Sequence, residues 1–247
     1  MRERPVDAVV FDMDGVLIDS RYVIEQAWLL VADRHGRPLS TDDVTHIIHG
    51  RSGAETVRLL FPGHNDQELH AIWAEAAKAE VDAAPYPAIP GALELILELH
   101  RHAVALGLAT SSWAEKVDSV LTDLGILDTF TCRITREDVV RNKPAPEPYL
   151  TVCRKLGVDP ERTLVFEDSV SGVRSAVAAG AVCIGIGGDA LLEVGAAAVA
   201  EDFRAIRLDL EAGGRLCLRV AGTASSPEAL IAVTTPRHPA AADTAEH

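Results

Sequence analysis

The pattern of apolar and polar positions divides the chain into two unlike parts. Ala8 to Phe11 is a continuous apolar run, partly β-branched, as expected for a strand covered on both faces of a parallel sheet. From Arg21 to about residue 84 the apolar residues recur at helical spacing and no convincing strand is found. That block predicts helices over 21–34, 43–49, 54–61 and 66–81. Gly36 closes the first, and Ser40 with Asp43 three positions on reads as a capping-box start for the second. The proline-rich stretch from Ala83 to Gly91 cannot continue a helix and ends the block.

After Gly91 helix and strand periods alternate. Helices are predicted at 91–101, 113–124, 146–156 and 171–179, and strands at 103–109, near 129–134, at 162–166 and at 181–186. Strands separated by helices of this length imply βαβ units and a parallel sheet. The first strand then belongs to the same α/β sheet, with the helical block inserted after it as a cap. The expected division is a core of residues 1–19 and 89–220 and a cap of residues 20–88. Leu216, Leu218 and Val220 alternate like a strand within the less clear stretch 201–221. From about Ala221 the composition turns rich in Ala, Thr, Ser and Pro, and a disordered tail over 221–247 is expected.

Composition narrows the classes. A chain of 247 residues, 48% of them hydrophobic, suits one large domain or a core with a smaller insert. No apolar run approaches the roughly 20 residues that span a bilayer, and the N-terminus leads straight into the first strand without a visible signal peptide. Cys132, Cys153, Cys183 and Cys217 lack metal-ligand spacing and sit in apolar contexts, as free thiols of a cytoplasmic protein would. The net charge of −14 disfavours nucleic acid and anionic membrane as partners. An anionic substrate would need a local positive site. A monomer or weak homodimer is expected.

The candidate chemistry lies at the strand ends, where ligands bind in parallel α/β sheets. The first strand runs into Asp12-Met13-Asp14-Gly15. Two carboxylates so close repel, and a divalent cation that favours hard oxygen ligands, magnesium, resolves the conflict. Asp-x-Asp-Gly is also an ordinary strand-to-turn signal. The strand at 103–109 ends at Thr110-Ser111-Ser112, where hydroxyls and backbone amides before a helix suit phosphate oxygens. Thr110 is the leading ligand there, with Ser111 beside it, while Ser112 reads as a helix cap paired with Glu115. Lys143 lies in a loop stiffened by Pro144, Pro146 and Pro148. It is a candidate point charge for phosphate, against the alternative of a solvated surface lysine. The strand at 162–166 ends at Glu167-Asp168, a second acidic pair that completes a metal site. Together these residues make a phosphoryl-transfer site. Asp12 would be the in-line nucleophile and Asp14 the general acid and base. Magnesium, Thr110 and Lys143 would offset charge on the equatorial oxygens.

The set Asp12-Met13-Asp14-Gly15-Val16, Thr110-Ser111-Ser112, Lys143-Pro144 and Glu167-Asp168 resembles the four motifs of the haloacid dehalogenase superfamily of phosphohydrolases, over roughly residues 6 to 200. The resemblance implies a Rossmann-like, doubly wound parallel sheet core with an inserted all-helical cap domain. It also implies that Asp12, the backbone carbonyl of Asp14 and Asp168 ligate magnesium, with Glu167 bound directly or one step removed. The dehalogenases lack the second aspartate of the first motif, so Asp14 argues against them. Phosphonate-cleaving members use a cap lysine, and Lys78, late in a helix, fits that role poorly. The β-phosphoglucomutase-like members carry a cap histidine, a cap arginine and a lysine after the second motif, which align with Ile24, Gly53 and Trp113. Those departures count against a mutase. The segments around His49-Gly50-Arg51, Ile89-Pro90-Gly91-Ala92 and Lys143 to Tyr149 look closer to phosphatases of sugar and polyol phosphates, although Asn142 replaces a glycine often found there. The expected activity is magnesium-dependent hydrolysis of a small-molecule phosphate ester, a sugar or polyol phosphate. His49 and Arg51 are the candidate cap contacts to it, and Trp28 and Trp73 are read as cap core. The alternatives are a phosphomutase and a non-catalytic binding module of the same fold.

Overall fold

A computed structural model describes residues 5–48, 53–83, 85–211, 216–226 and 228–234. At its centre lies β1 (Ala8–Phe11), all four residues buried. It pairs in parallel with β2 (Ala105–Ala109) on one side and β4 (Thr163–Glu167) on the other. With β3 (Cys132–Ile134), β5 (Val182–Ile186) and β6 (Ala198–Ala200) these form a six-stranded parallel sheet of order β3-β2-β1-β4-β5-β6. This is a doubly wound, Rossmann-like α/β sheet, and its order reverses between β1 and β4. A crevice therefore opens at the carboxyl ends of those two strands.

Between β1 and β2 the chain is helical. It contains α1 (Arg21–Arg34), the single turn α2 (Thr41–Asp43) running into a π-helical segment at Val44–Ile48, α3 (Gly53–Leu60) and α4 (Asp66–Asp82). Ser40 and Asp43 form the expected reciprocal capping box. Trp28, Val31, Leu60, Phe61 and Ile72 make an apolar cluster of their own within this block. Trp28 is thus core, as expected, whereas Trp73 packs only at the cluster's margin. Asp19 N donates to Pro87 O and Ile89 N to Leu17 O, so the two chain crossings into the block lie side by side.

The pleat of β1 divides the remaining core. Val9 and Phe11 face α5 (Ala92–Arg101) and α6 (Ala114–Asp123), through Leu95, Leu99, Val117 and Leu121. Val10 faces α7 (Glu147–Leu156) and α8 (Val170–Ala179), through Tyr149, Val152, Val173 and Ala176. The rings of Phe11 and Phe166 stack at 5.2 Å on the first face, and Phe203 closes on Phe166 edge-on at 5.1 Å. Each of these rings, fully buried, contributes on the order of 2 kcal/mol of apolar transfer free energy.

Two features depart from the sequence reading. The stretch 201–221, unclear in the sequence, holds β7 (Ile206–Leu210) as well as β8 (Leu216–Val220). The expectation of a disordered tail from residue 221 is corrected over Ala229–Val233, which forms β9, antiparallel to β8. Leu230, Ile231 and Val233 carry the β-forming, apolar character that the surrounding Ala, Thr, Ser and Pro mask. Ile231 and Val233 are buried against the first face of the core, and Val6 N donates to Ala232 O, tying β9 to the segment just before β1. Among the described residues no helix is long and apolar enough to cross a membrane.

Candidate active site

The end of β1 is shaped by Gly15. Its φ of +77° is one that residues with a Cβ rarely adopt, and a Cβ there would overlap the Asp168 carboxylate. Gly15 N donates to Ile18 O and Leu17 N to Met13 O. The tight turn that results leaves Asp12 and Asp14 at the mouth of the crevice. Across it, β4 ends in the wholly buried Glu167 and in Asp168, and Ser169 caps α8 by accepting from Gly172 N.

Lys143 joins these carboxylates. Its Nζ lies 2.7 Å from Asp12 Oδ1, 2.6 Å from Glu167 Oε1 and 2.9 Å from the carbonyl oxygen of Ala109 at the end of β2. The loop that delivers it is held by Glu147, whose two carboxylate oxygens accept from Val140 N and Arg141 N, and the Lys143–Pro144 peptide is cis. Glu167 is saturated with donors: Lys143 and the Tyr149 hydroxyl on Oε1, and Asp168 N, Ser169 N and Ser169 Oγ on Oε2. Its main effect is to fix Lys143 and the start of α8. A Cβ on Gly172 would collide with that carboxylate, which accounts for a glycine inside the first turn of a helix.

Carboxylate oxygens of Asp12, Glu167 and Asp168 come within 4.8 Å of one another. One lysine faces three carboxylates. Burial, only partly offset by Lys143, pushes the Asp12 carboxyl up to about 7, and burial with the charges of Glu167 and Asp12 raises Asp168 well above the ordinary range. Clustered hard oxygens with a residual charge deficit fit a divalent cation of the magnesium type.

Asp14 faces elsewhere. Its Oδ2 accepts from Ser112 Oγ at 2.6 Å and its Oδ1 from Lys116 Nζ at 2.8 Å. Burial raises its carboxyl, but the Lys116 charge and the hydrogen bonds from Lys116, Ser112 and Ser20 outweigh burial and hold it below the ordinary value. Lys116 is 1% exposed and also reaches Glu80 Oε2 at 3.2 Å, on α4 of the helical block.

The structure thus brings Asp12, Lys143, Glu167 and Asp168 together and sets Asp14 beside them, its side chain outside the carboxylate cluster. Thr110 is buried directly after Ala109, and its Oγ1 accepts from Ser112 N, while Ser111 is exposed. Ser112 is corrected: Trp113 occupies the N-cap of α6 with no side-chain cap bond, and the Ser112 hydroxyl is spent on Asp14. His49 and Arg51 lie outside the described residues. Sequence reasoning missed Lys116 and Glu80. Both carried a signal, because Lys116 falls on the helical face of Val117, Val120 and Leu121, and Glu80 continues the stripe Leu69, Ile72, Ala76.

The chain is similar to known proteins both in sequence and in fold. The family model for haloacid dehalogenase-like hydrolases matches residues 9–186. Validoxylamine A 7'-phosphate phosphatase of Streptomyces hygroscopicus subsp. limoneus is 39% identical over 181 residues, covering 72% of this chain and 84% of that protein. Hexitol phosphatase A of Escherichia coli (strain K12) is 31% identical over 178 residues, 72% of this chain and 81% of its own. The crystal structure of β-phosphoglucomutase from Clostridium difficile superposes with a TM-score of 0.70 at 24% identity, covering 80% of this chain and 92% of that one. At that identity the likeness is one of fold.

Proposed function

We propose, from the premise that this chain belongs to the haloacid dehalogenase-like hydrolases, that it is a magnesium-dependent phosphatase of a small phosphorylated metabolite, a sugar or polyol phosphate. The observation that carries the reading is the junction of β1 and β4. There Asp12, Glu167 and Asp168 converge and a single buried lysine holds Asp12. Relatives named for validoxylamine A 7'-phosphate and for hexitol phosphates support the carbohydrate or polyol character of the substrate.

In this reading Asp12 and Asp168, with the backbone carbonyl of Asp14, hold the magnesium ion, and Glu167 orders the site from behind. The bound ion would neutralise charge on the phosphoryl group and keep Asp12 ionised near neutral pH. An Asp12 carboxylate oxygen attacks phosphorus in line, the phosphorus–oxygen bond to the leaving group breaks, and an aspartyl-phosphate forms. Lys116, Ser112 and Ser20 keep Asp14 ionised in the free protein, so Asp14 would take up a proton as the anionic ester binds and then give it to the departing oxygen. A water then attacks the aspartyl-phosphate, losing its proton to Asp14 and releasing inorganic phosphate with Asp12 regenerated. Thr110, Ser111 and Lys143 bind the phosphoryl oxygens. The helical block closes over the site as a cap and excludes water, and His49 and Arg51 are the proposed contacts to the rest of the substrate. The four buried free cysteines support a cytoplasmic setting.

A phosphomutase would need a second phosphate anchor in the cap. Ile24 packs against the apolar cluster of the helical block and Gly53 lies against Trp73, so neither position offers one. The test is phosphate release from a panel of sugar, polyol and nucleotide monophosphates, with magnesium and with chelator. Magnesium-dependent release from a few sugar or polyol phosphates is expected. Isomerised sugar phosphate in place of free phosphate would overturn the reading in favour of the mutase.

A further inference from the structure

Lys116 is an odd residue to find where it is. It occupies the first turn of α6, where a cation opposes the helix dipole, and it is almost wholly buried. Lysine is rarely buried to that degree, and a desolvated ammonium is costly unless well paired. Its helical neighbours on the same face, Val117, Val120 and Leu121, show that packing alone would be served by an apolar side chain.

Its partners suggest another role. The ammonium bridges Asp14 of the core, at 2.8 Å, and Glu80 of the helical block, at 3.2 Å. The rings of Tyr86 and Trp113 stand 5.2 and 5.5 Å from it and shield it from water. The Tyr86 hydroxyl donates to the Glu80 carbonyl oxygen, fastening the end of α4 to the connector that leads back to the core. One oxygen of Asp14 is therefore oriented by Ser112, close by in the core. The other is oriented by a lysine whose second carboxylate partner belongs to the helical block.

We infer that Lys116 is a positioning residue for Asp14, held in place by Glu80, so that the seating of the helical block on the core sets the orientation of the Asp14 carboxylate. The inference rests on the phosphatase reading, in which Asp14 carries the proton. With the block seated, Glu80 and Asp14 together fix the ammonium between them. With the block away, Lys116 loses one of its two carboxylates and Asp14 loses a rigid partner. The seated block would then align the proton-transferring group as well as enclose the substrate.

The test uses the full chain and the best ester of the panel. Lys116→Gln should lower kcat roughly tenfold or more while KM stays within about threefold, because an orientation needed in the transition state is lost and ground-state binding is not. Glu80→Gln should lower kcat by a smaller factor, and adding it to Lys116→Gln should cause little further loss, since both act through one ammonium. A purely structural role would lower Tm and the folded fraction but leave kcat per folded molecule intact, and that result overturns the inference. So do effects of the two substitutions that multiply. If Lys116→Gln does not fold, the double variant, which leaves no charge at either position, takes its place. Its expected result is the same loss of kcat, and wild-type kcat would refute the proposal. A wild-type protein that turns over beside an equally active Lys116→Gln variant sinks this inference alone. A wild-type protein that hydrolyses no ester sinks the phosphatase reading and the inference with it.

Discussion

Asp12 is a carboxylate that its surroundings make hard to ionise unaided. Burial pushes it up to about 7 from an ordinary value of 3.8, so ionising it costs the folded state free energy. In the metal-free protein that cost grows as pH rises from about 4 to about 7, and a divalent cation competes for the site with the proton. Asp14 has the opposite sign. Its carboxyl is held low, so its stabilising contribution is present above the ordinary aspartate value and is lost as pH falls through its folded value. The rise in Tm on adding magnesium should therefore increase between about pH 5 and about pH 8. A magnesium effect independent of pH, measured by thermal unfolding, would count against Asp12 as a ligand. Lys143→Met leaves Asp12 and Glu167 facing each other without their shared cation. It should destabilise the protein by about 3–5 kcal/mol in denaturant titrations and remove turnover. Wild-type stability in that variant would mean that the ion pairs contribute little.

At the scale of elements the site depends on how strands end. Gly172 opens the path for Glu167 into the first turn of α8, so Gly172→Ala should displace that carboxylate, loosen Lys143 and cost about 1–3 kcal/mol. An unperturbed urea midpoint would show that the turn yields without strain. β9 offers a second check. Ile231 is buried in the main core, and Ile231→Ala should destabilise by about 2–4 kcal/mol, whereas a disordered tail would show no change. These two elements also show what the sequence could and could not convey. The strand ends at Asp12, Thr110 and Glu167-Asp168 were legible because each is a local pattern, a buried run followed by polar residues and a turn. β9 was hidden because its apolar core is brief and lies in a stretch of disorder-like composition. The contact of Lys116 with Asp14 spans 102 positions and that with Glu80 spans 36, separations at which no local periodicity names a partner. Only the misplaced polarity of Lys116 and Glu80 on apolar helix faces was visible. The spacing of Ser112 to Glu115 matches a capping box, but in the folded chain its hydroxyl donates to the Asp14 carboxylate at 2.6 Å.

Across the whole molecule, sheet order and chemistry coincide. The reversal between β1 and β4 opens the crevice where the carboxylates converge, and the helical block, with an apolar cluster of its own, enters the chain one short turn after Asp14. An acidic chain of net charge −14 that is to act on a phosphate ester must concentrate positive charge at that one place. Lys143 supplies part of it, and the bound cation would supply the rest. Uptake of the phosphoryl group by Asp12 is the step on which the proposed mechanism turns. It is tested most directly by rapid acid quenching of the magnesium-loaded protein during turnover of its best ester, followed by mass spectrometry of the peptide containing residue 12. A phosphoryl group on Asp12 is expected in the wild-type protein. In Asp12→Asn no adduct is expected, with a loss of turnover of at least about a thousandfold and the fold intact. Sustained phosphate release without an adduct on Asp12, or from the Asp12→Asn variant, would contradict it.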